Sequence, residues 1–339
     1  MLINKDIINQ KEYDFLRTNP HLGDKIMLLG YGGSHAYGTN VEGSDIDIRG
    51  IALNTKKEIL LGRPFEQVTD NETDTVIYSF IKVVKLLSDA NPNVLEMLFL
   101  EPNQYLYLNS VGEELLKNRK MFLSKRILYT FGGYARAQLN RLDNKVMRNL
   151  DQPGQEEHIM RSIQNAASTF PDKYFSHPED SIKLYIDDAV QEGMQTEIFM
   201  DVNLKHYPLR DYKCMWAEMH NVVKDYSRIG KRAKAAEHGN KINKHAMHLC
   251  RLMLTCIEIL ETCDMHTYRA KDHDFLMDIR NGRYMVDGKM TEEFFEIVAD
   301  LDAKMQEAAK TTKLPEKPDC KAIDKFVCKV NEMVVCAKN

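Results

Sequence analysis

The rhythm of hydrophobic and polar positions changes about a third of the way along this chain. In the first 120 residues, short apolar runs are separated by turn residues. Residues 25–31 (KIMLLGY) read as a strand, and residues 45–53 (DIDIRGIAL) alternate with the period of a second. Residues 75–78 are a third, running into the apolar-periodic stretch 80–87. A loop rich in glycine and small residues, 32–43, joins the first two strands. Asn91-Pro92-Asn93 is a helix start, with Asn91 as the cap and Pro92 at the first helical position, where a missing N–H is harmless. From about Met121 helical periodicity takes over, in residues 125–150, 156–170, 210–229, 240–263, 291–312 and 322–335. Residues 182–186 and 197–204 are expected to form a strand pair, and breaks fall at 151–155 (DQPGQ), 171–180 and 314–319 (LPEKPD). The pattern predicts an α+β chain in which a small mixed-sheet domain over residues 1–120 precedes a mostly helical domain over residues 121–339.

Composition narrows the class. Of 339 residues, 43% are hydrophobic and 28% charged, which fits a globular protein and excludes a disordered, collagenous or filamentous chain. Forty-six Lys and Arg against 50 Asp and Glu leave a net charge of -4, so no global field draws the chain to a polyanion. A polyanion would need a local patch, and Arg228, Lys231, Arg232 and Lys234 are such a run. No uninterrupted apolar run approaches the roughly 20 residues of a membrane span, so no membrane partner is expected. Seven cysteines without a CxxC pair read as reduced thiols, which gives a cytoplasmic expectation; Cys250, Cys256 and Cys263, spaced by six and seven, read as packing. Asp272-His273-Asp274 falls in an expected loop without evident partners and reads as solvated.

The chemistry concentrates in residues 32–50, GGSHAYGTNVEGSDIDIRG. Asp45 and Asp47, two apart on an expected strand, share a face, and Arg49 shares it too. Adjacent carboxylates repel, and a hard divalent cation such as Mg²⁺ relieves that cost while also binding phosphate oxygens. Upstream, Gly33 and Ser34 offer backbone without a Cβ, amide donors and a hydroxyl to a phosphate, and His35 follows them. Ser34 and Asp45 are eleven positions apart, so a phosphate cradle would stand beside a metal site. Farther on, Lys244, His248 and Arg251 fall on one stripe of an otherwise apolar helix and need anionic company, for which phosphate is one source and the acidic cluster another.

These residues carry a resemblance. Gly33-Ser34-His35-Ala36-Tyr37-Gly38 followed by Ser44-Asp45-Ile46-Asp47-Ile48-Arg49 resembles the signature of the polymerase-β-type nucleotidyltransferase superfamily, in its short form. Within it, the chain is most similar to the nucleotidyltransferases assigned to bacterial and phage RNA repair pathways. The likeness continues through Asp74-Thr75-Val76-Ile77-Tyr78, Asn91-Pro92-Asn93-Val94-Leu95-Glu96 and residues 244–252 (KHAMHLCRL). The resemblance implies a palm-like catalytic domain and a third carboxylate, for which Asp70, Glu72 and Asp74 are candidates and Asp74 the best placed. It implies two ions, Mg²⁺ or Mn²⁺, both bridged by Asp45 and Asp47 and one shared with Asp74. Gly33, Ser34, His35, Arg49, Lys244, His248 and Arg251 would bind the nucleotide. The implied reaction moves a nucleoside monophosphate from a nucleoside triphosphate, with ATP the expected donor, to a hydroxyl acceptor. An RNA end is the expected acceptor, a protein or small-molecule hydroxyl the alternative, and an inert nucleotide-binding module a third reading.

Overall fold

In the computed structural model the described residues are 5–147, 152–168, 170–175, 177–178, 181–190, 196–222, 235–286 and 289–337. Strands β1 (Ile26–Tyr31), β2 (Ile48–Ala52), β3 (Gln67–Asp70), β4 (Thr75–Ser79) and β5 (Tyr105–Leu108) form one sheet in the order β3-β4-β2-β1-β5. β2 and β4 run parallel, and every other neighbouring pair in this sheet is antiparallel. The mixed sheet expected from the alternating runs is therefore present. β1 is buried along its whole length, as its unbroken apolar run dictates, and Leu29, Ile48, Ala52 and Ile77 build a core with Leu16 and Leu22 of the preceding segment.

This topology fixes one functional consequence. The start of β2, the start of β4 and the end of β1 all lie at the same edge, because parallel strands begin side by side and an antiparallel neighbour ends there. Tyr31 pairs with Ile48 and Ile48 with Thr75, so Gly32-Gly33, Asp47 and Asp74 are the three segments leaving that edge.

Short helices and longer ones follow the chain. α1 (Gly33–Tyr37) is a single turn inside the expected loop, and α2 (Phe80–Ser88) is capped by the Ser79 hydroxyl, which accepts from the Lys82 amide. Asn91 caps the next helix through its own side chain with Pro92 at the first position, as the sequence requires. α3 (Arg126–Met147), α4 (Ala235–Thr262), α5 (His273–Arg280), and the helices Glu292–Thr311 and Cys320–Cys336 make the rest mostly helical.

The chain separates into two compact units, and the division differs from the one expected at residue 120. One unit joins Met1–Leu139 to Lys244–Tyr284 and Thr291–Asn339, and the other comprises Asn140–Asn243 with Met285–Met290. The reason is packing: Phe326 of the C-terminal helix meets Phe80 at 6.0 Å edge-on, and Met121 and Pro315 give backbone carbonyls to Asp319 and Lys125. The second unit pairs Ile182–Asp188 with Thr196–Val202 in antiparallel register, and Ile159, Ile163, Phe170, Met215 and Met219 form its core. The basic run Arg228, Lys231, Arg232 and Lys234 lies outside the described residues. Among the described residues, no helix is long and apolar enough to cross a membrane.

Candidate functional site

At the sheet edge the expected residues come together in part. β2 begins three residues later than the alternation suggests, so Asp45 and Asp47 precede the strand. The Gly32 amide nevertheless donates to the Asp47 carbonyl at 2.8 Å, which holds Asp47 against the glycine turn. Gly33 is left-handed, with φ of 55°, and a Cβ there would stand 1.9 Å from Asp47 Oδ2. Only glycine leaves that carboxylate its room.

Arg49 ties two of the acids together. Its Nη2 donates to Asp47 Oδ1 at 2.9 Å and lies 3.4 Å from Asp74 Oδ1, and its Nη1 also donates to the Asp74 carbonyl. Asp74 sits in the left-handed region, with φ of 46°, immediately before β4. Burial, above all, raises the pKa of Asp47, and the Asp74 carboxylate raises it further, while Arg49 and Lys244 pull it down. A cavity of about 240 Å³ opens here, lined by Gly32, Gly33, Tyr37, Asp47, Arg49 and Glu96 among others. Asp45, by contrast, is exposed and lines a separate groove of about 1310 Å³ with His35, Asp74, Glu12, Glu72 and Glu101. His35 Nε2 lies 3.4 Å from the Ser44 carbonyl, and its ring stacks with Tyr31. Ser34 stands in the one-turn helix α1.

The donor chemistry at this edge is that of a hard cation: Asp47, Asp74 and the nearby Asp45 offer carboxylate oxygens only. Among the described residues no three His, Cys, Asp or Glu side chains are gathered around one point, and Arg49 supplies the countercharge between Asp47 and Asp74.

The stripe on α4 divides. Lys244 is exposed and its charge is felt by Asp47, so this end of the helix does look to the carboxylates. Arg251, expected among the nucleotide-binding residues, is met by an anion of the chain itself. It is 5% exposed, its Nη1 pairs with Glu96, and its guanidinium lies 3.6 Å from the Tyr37 ring centre. The Tyr37 hydroxyl donates to the other Glu96 oxygen at 2.6 Å, and Thr267 donates to the Glu96 carbonyl at 2.8 Å. Arg251 thus finds its counter-anion inside the chain. His248 meets Tyr37 edge-on at 6.3 Å, and its pKa is pushed down to about 3, by burial first and then by Arg251, Lys244, His245 and Arg280. It is a neutral imidazole at neutral pH.

Glu96 and Tyr37 were within quoted motifs, yet spacing gave neither a role; Gln104, whose amide donates to the His35 and Ala36 carbonyls at 3.1 Å, gave no signal. Asp272 is not solvated as expected, because it accepts from Arg269 Nε at 2.8 Å ahead of α5. Cys250 and Cys256 are buried free thiols whose pKa values burial pushes up to about 12, in keeping with packing.

Residues 6–155 match the RNA repair pathway DNA polymerase beta family, so the resemblance drawn from the motifs is borne out over the segment holding the carboxylates. The chain is also 26% identical over 338 residues to an uncharacterized 38.9 kDa protein of Enterobacteria phage T4, covering 90% of this chain and 97% of that one. No solved structure matches the chain.

Proposed function

With residues 6–155 matching the RNA repair pathway DNA polymerase beta family as the premise, we propose that this chain is a metal-dependent nucleotidyltransferase acting on RNA ends. The observation that supports it best is the edge where Gly33, Asp47, Arg49 and Asp74 meet, with a carboxylate seated where a Cβ cannot be. Asp47 and Asp74, with Asp45, would hold Mg²⁺ or Mn²⁺, which when bound supplies positive charge to the phosphates and lowers the pKa of an attacking hydroxyl. The acceptor oxygen bonds to the α-phosphorus, the bridging bond to the β-phosphate breaks, and pyrophosphate leaves with that electron pair while the acceptor proton passes to water. The protein's part is positioning and charge. Gly33 and Ser34 present backbone to the phosphates, Arg49 turns from the carboxylates toward them, and Lys244 adds a second cation. ATP is the proposed donor. The test is divalent-dependent transfer of α-labelled nucleotide to an RNA pool, lost in Asp45→Ala and Asp47→Ala; binding of nucleotide without labelling of any RNA refutes the acceptor.

One observation favours a second acceptor class. The large groove beside Asp45 is lined by Glu12, Glu72, Asp74 and Glu101, which suit a neutral or cationic acceptor better than a polyanion. A protein or small-molecule hydroxyl is then labelled instead, and the label survives ribonuclease.

A further inference from the structure

The geometry points to Tyr268 as the seat of the acceptor's terminal base: the groove beside Asp45 and Asp74 takes the end of an RNA as an uncharged nucleoside whose base stacks on this ring. For the identity of the acceptor this rests on the RNA-end reading above, and for the residue and the groove on the structure.

Tyr268 lies between α4 and α5, in a segment fastened on both sides of it. Before it, the Thr267 amide donates to the Phe99 carbonyl at 3.2 Å and the Thr267 hydroxyl to the Glu96 carbonyl at 2.8 Å. After it, the Arg269 amide donates to the Tyr37 carbonyl at 3.0 Å, and the Arg269 guanidinium is held by Glu258 and Asp272. Thr267 and Arg269 are buried, whereas Tyr268 between them is 39% exposed. A large aromatic side chain fixed by its neighbours yet open to a groove is pre-organised for a ligand.

Gly38 makes room for the ring. It ends α1 in left-handed backbone, with φ of 75°, and a Cβ there would stand 2.8 Å from Tyr268 Cζ, too close for any other residue. Glycine therefore admits Tyr268 to the turn that follows Ser34 and His35. Gly38 and Tyr268 both belong to the sheet-bearing unit.

The lining of the groove selects what can enter. Tyr268 shares its volume of about 1310 Å³ with Asp45, Asp74, Glu12, Glu72 and Glu101, and among the described residues no Lys or Arg lines it. A run of phosphates is repelled there, but a terminal nucleoside is neutral. Its base needs an aromatic surface and groups that both donate and accept, which Tyr268 and the amides of Asn71 and Asn103 offer. Its sugar hydroxyl then enters the same groove as Asp45 and Asp74. The acidic lining that disfavours a bound strand is thus compatible with an RNA that enters by its last nucleoside and keeps its phosphates outside.

The test measures binding of short single-stranded RNAs to the full chain by fluorescence anisotropy, and KM and kcat for transfer, in wild type, Tyr268→Leu and Tyr268→Phe, with thermal melting alongside. Each RNA is supplied intact and with the terminal base removed at one end or the other. Removing that base at the acceptor end is expected to weaken binding to wild type by about five- to a hundred-fold, the span of one base–aromatic stack. Tyr268→Leu loses as much on intact RNA and little more when the base is removed too, because the same contact is then deleted from both sides. Tyr268→Phe keeps the ring and the affinity, and ATP affinity stays unchanged throughout. The abasic arm reads wild type alone, so it still reports if the leucine variant does not fold. Equal affinity of wild type for intact and abasic RNA overturns the inference, as does an abasic penalty undiminished in Tyr268→Leu. A loss confined to ATP, or a wild type that binds no RNA, overturns it as well. Transfer to RNA with a KM independent of the terminal base and of Tyr268 removes this inference alone. Base- and Tyr268-dependent RNA binding without nucleotide transfer to any acceptor removes the enzymatic reading alone.

Discussion

Arg251→Met asks whether the buried cation holds the fold or the nucleotide. The substitution keeps most of the side-chain volume and removes the charge between Tyr37 and Glu96. Glu96, itself 5% exposed, is left as a buried carboxylate with the Tyr37 hydroxyl as its remaining side-chain donor. Breaking a buried pair by deleting one partner costs about 3–5 kcal/mol, because the survivor's charge is uncompensated. Arg251 Nε makes no hydrogen bond, which trims the net worth of the pair but not the penalty of orphaning Glu96. At roughly 2–4 °C per kcal/mol for a unit of this size, the melting temperature falls by about 6–20 °C. Glu96→Gln in the same background removes the orphaned charge while keeping an acceptor for Tyr37, so the double variant recovers about 1–3 kcal/mol relative to the sum of the singles. Circular dichroism melting of the four proteins reads this cycle directly. A variant Arg251→Met that melts within about 2 °C of wild type but loses nucleotide affinity would refute the reasoning and return Arg251 to the phosphates.

Three further outcomes are expected. Asp47 has its pKa raised by folding, so its ionised form burdens the native state above that pKa, and the burden is absent in acid below the ordinary range near ~4. Asp47→Asn therefore melts higher than wild type at pH 7, by about 0.5–2 kcal/mol, and the gain disappears as pH falls toward 4; a lower melting temperature at pH 7 contradicts this. Gly33→Ala places a Cβ against Asp47 Oδ2 in left-handed backbone, costing about 1–3 kcal/mol and displacing the carboxylate, so turnover should drop at least about tenfold; unchanged turnover excludes the cradle. Phe326→Ala empties the contact with Phe80 and should cost about 3–5 kcal/mol in denaturant unfolding of the sheet-bearing unit, whereas no loss would separate the C-terminal helix from it.

The long helices were legible because their apolar period persists for many turns: residues 291–312 and 322–335 fall on Glu292–Thr311 and Cys320–Cys336 within two residues at each end. β3 was not, since Gln67–Asp70 is four mostly polar residues at a sheet edge, where burial imposes no pattern. Periodicity names the buried face of a helix but not its partner, and so the return of the C-terminal helices to the sheet was invisible. The same limit applies at the site. Gly33, Asp47 and Asp74 could be read from motif and spacing, and the strand topology brings them to one edge. The stripe Lys244, His248 and Arg251 was correct in phase, but the anion that answers Arg251 comes from Glu96, 155 positions away.

The central claim is that the carboxylates at the sheet edge perform nucleotidyl transfer, and pyrophosphate release from ATP in the presence of Mg²⁺ and an RNA pool tests it most directly, with wild type and Asp47→Asn side by side. The account predicts steady, Mg²⁺-dependent release by wild type and none by Asp47→Asn, a variant expected to melt no lower than wild type at pH 7 because burial raises the Asp47 pKa. Release that persists in Asp47→Asn at the wild-type rate would contradict it, because chemistry would then proceed without the carboxylate around which the edge is built.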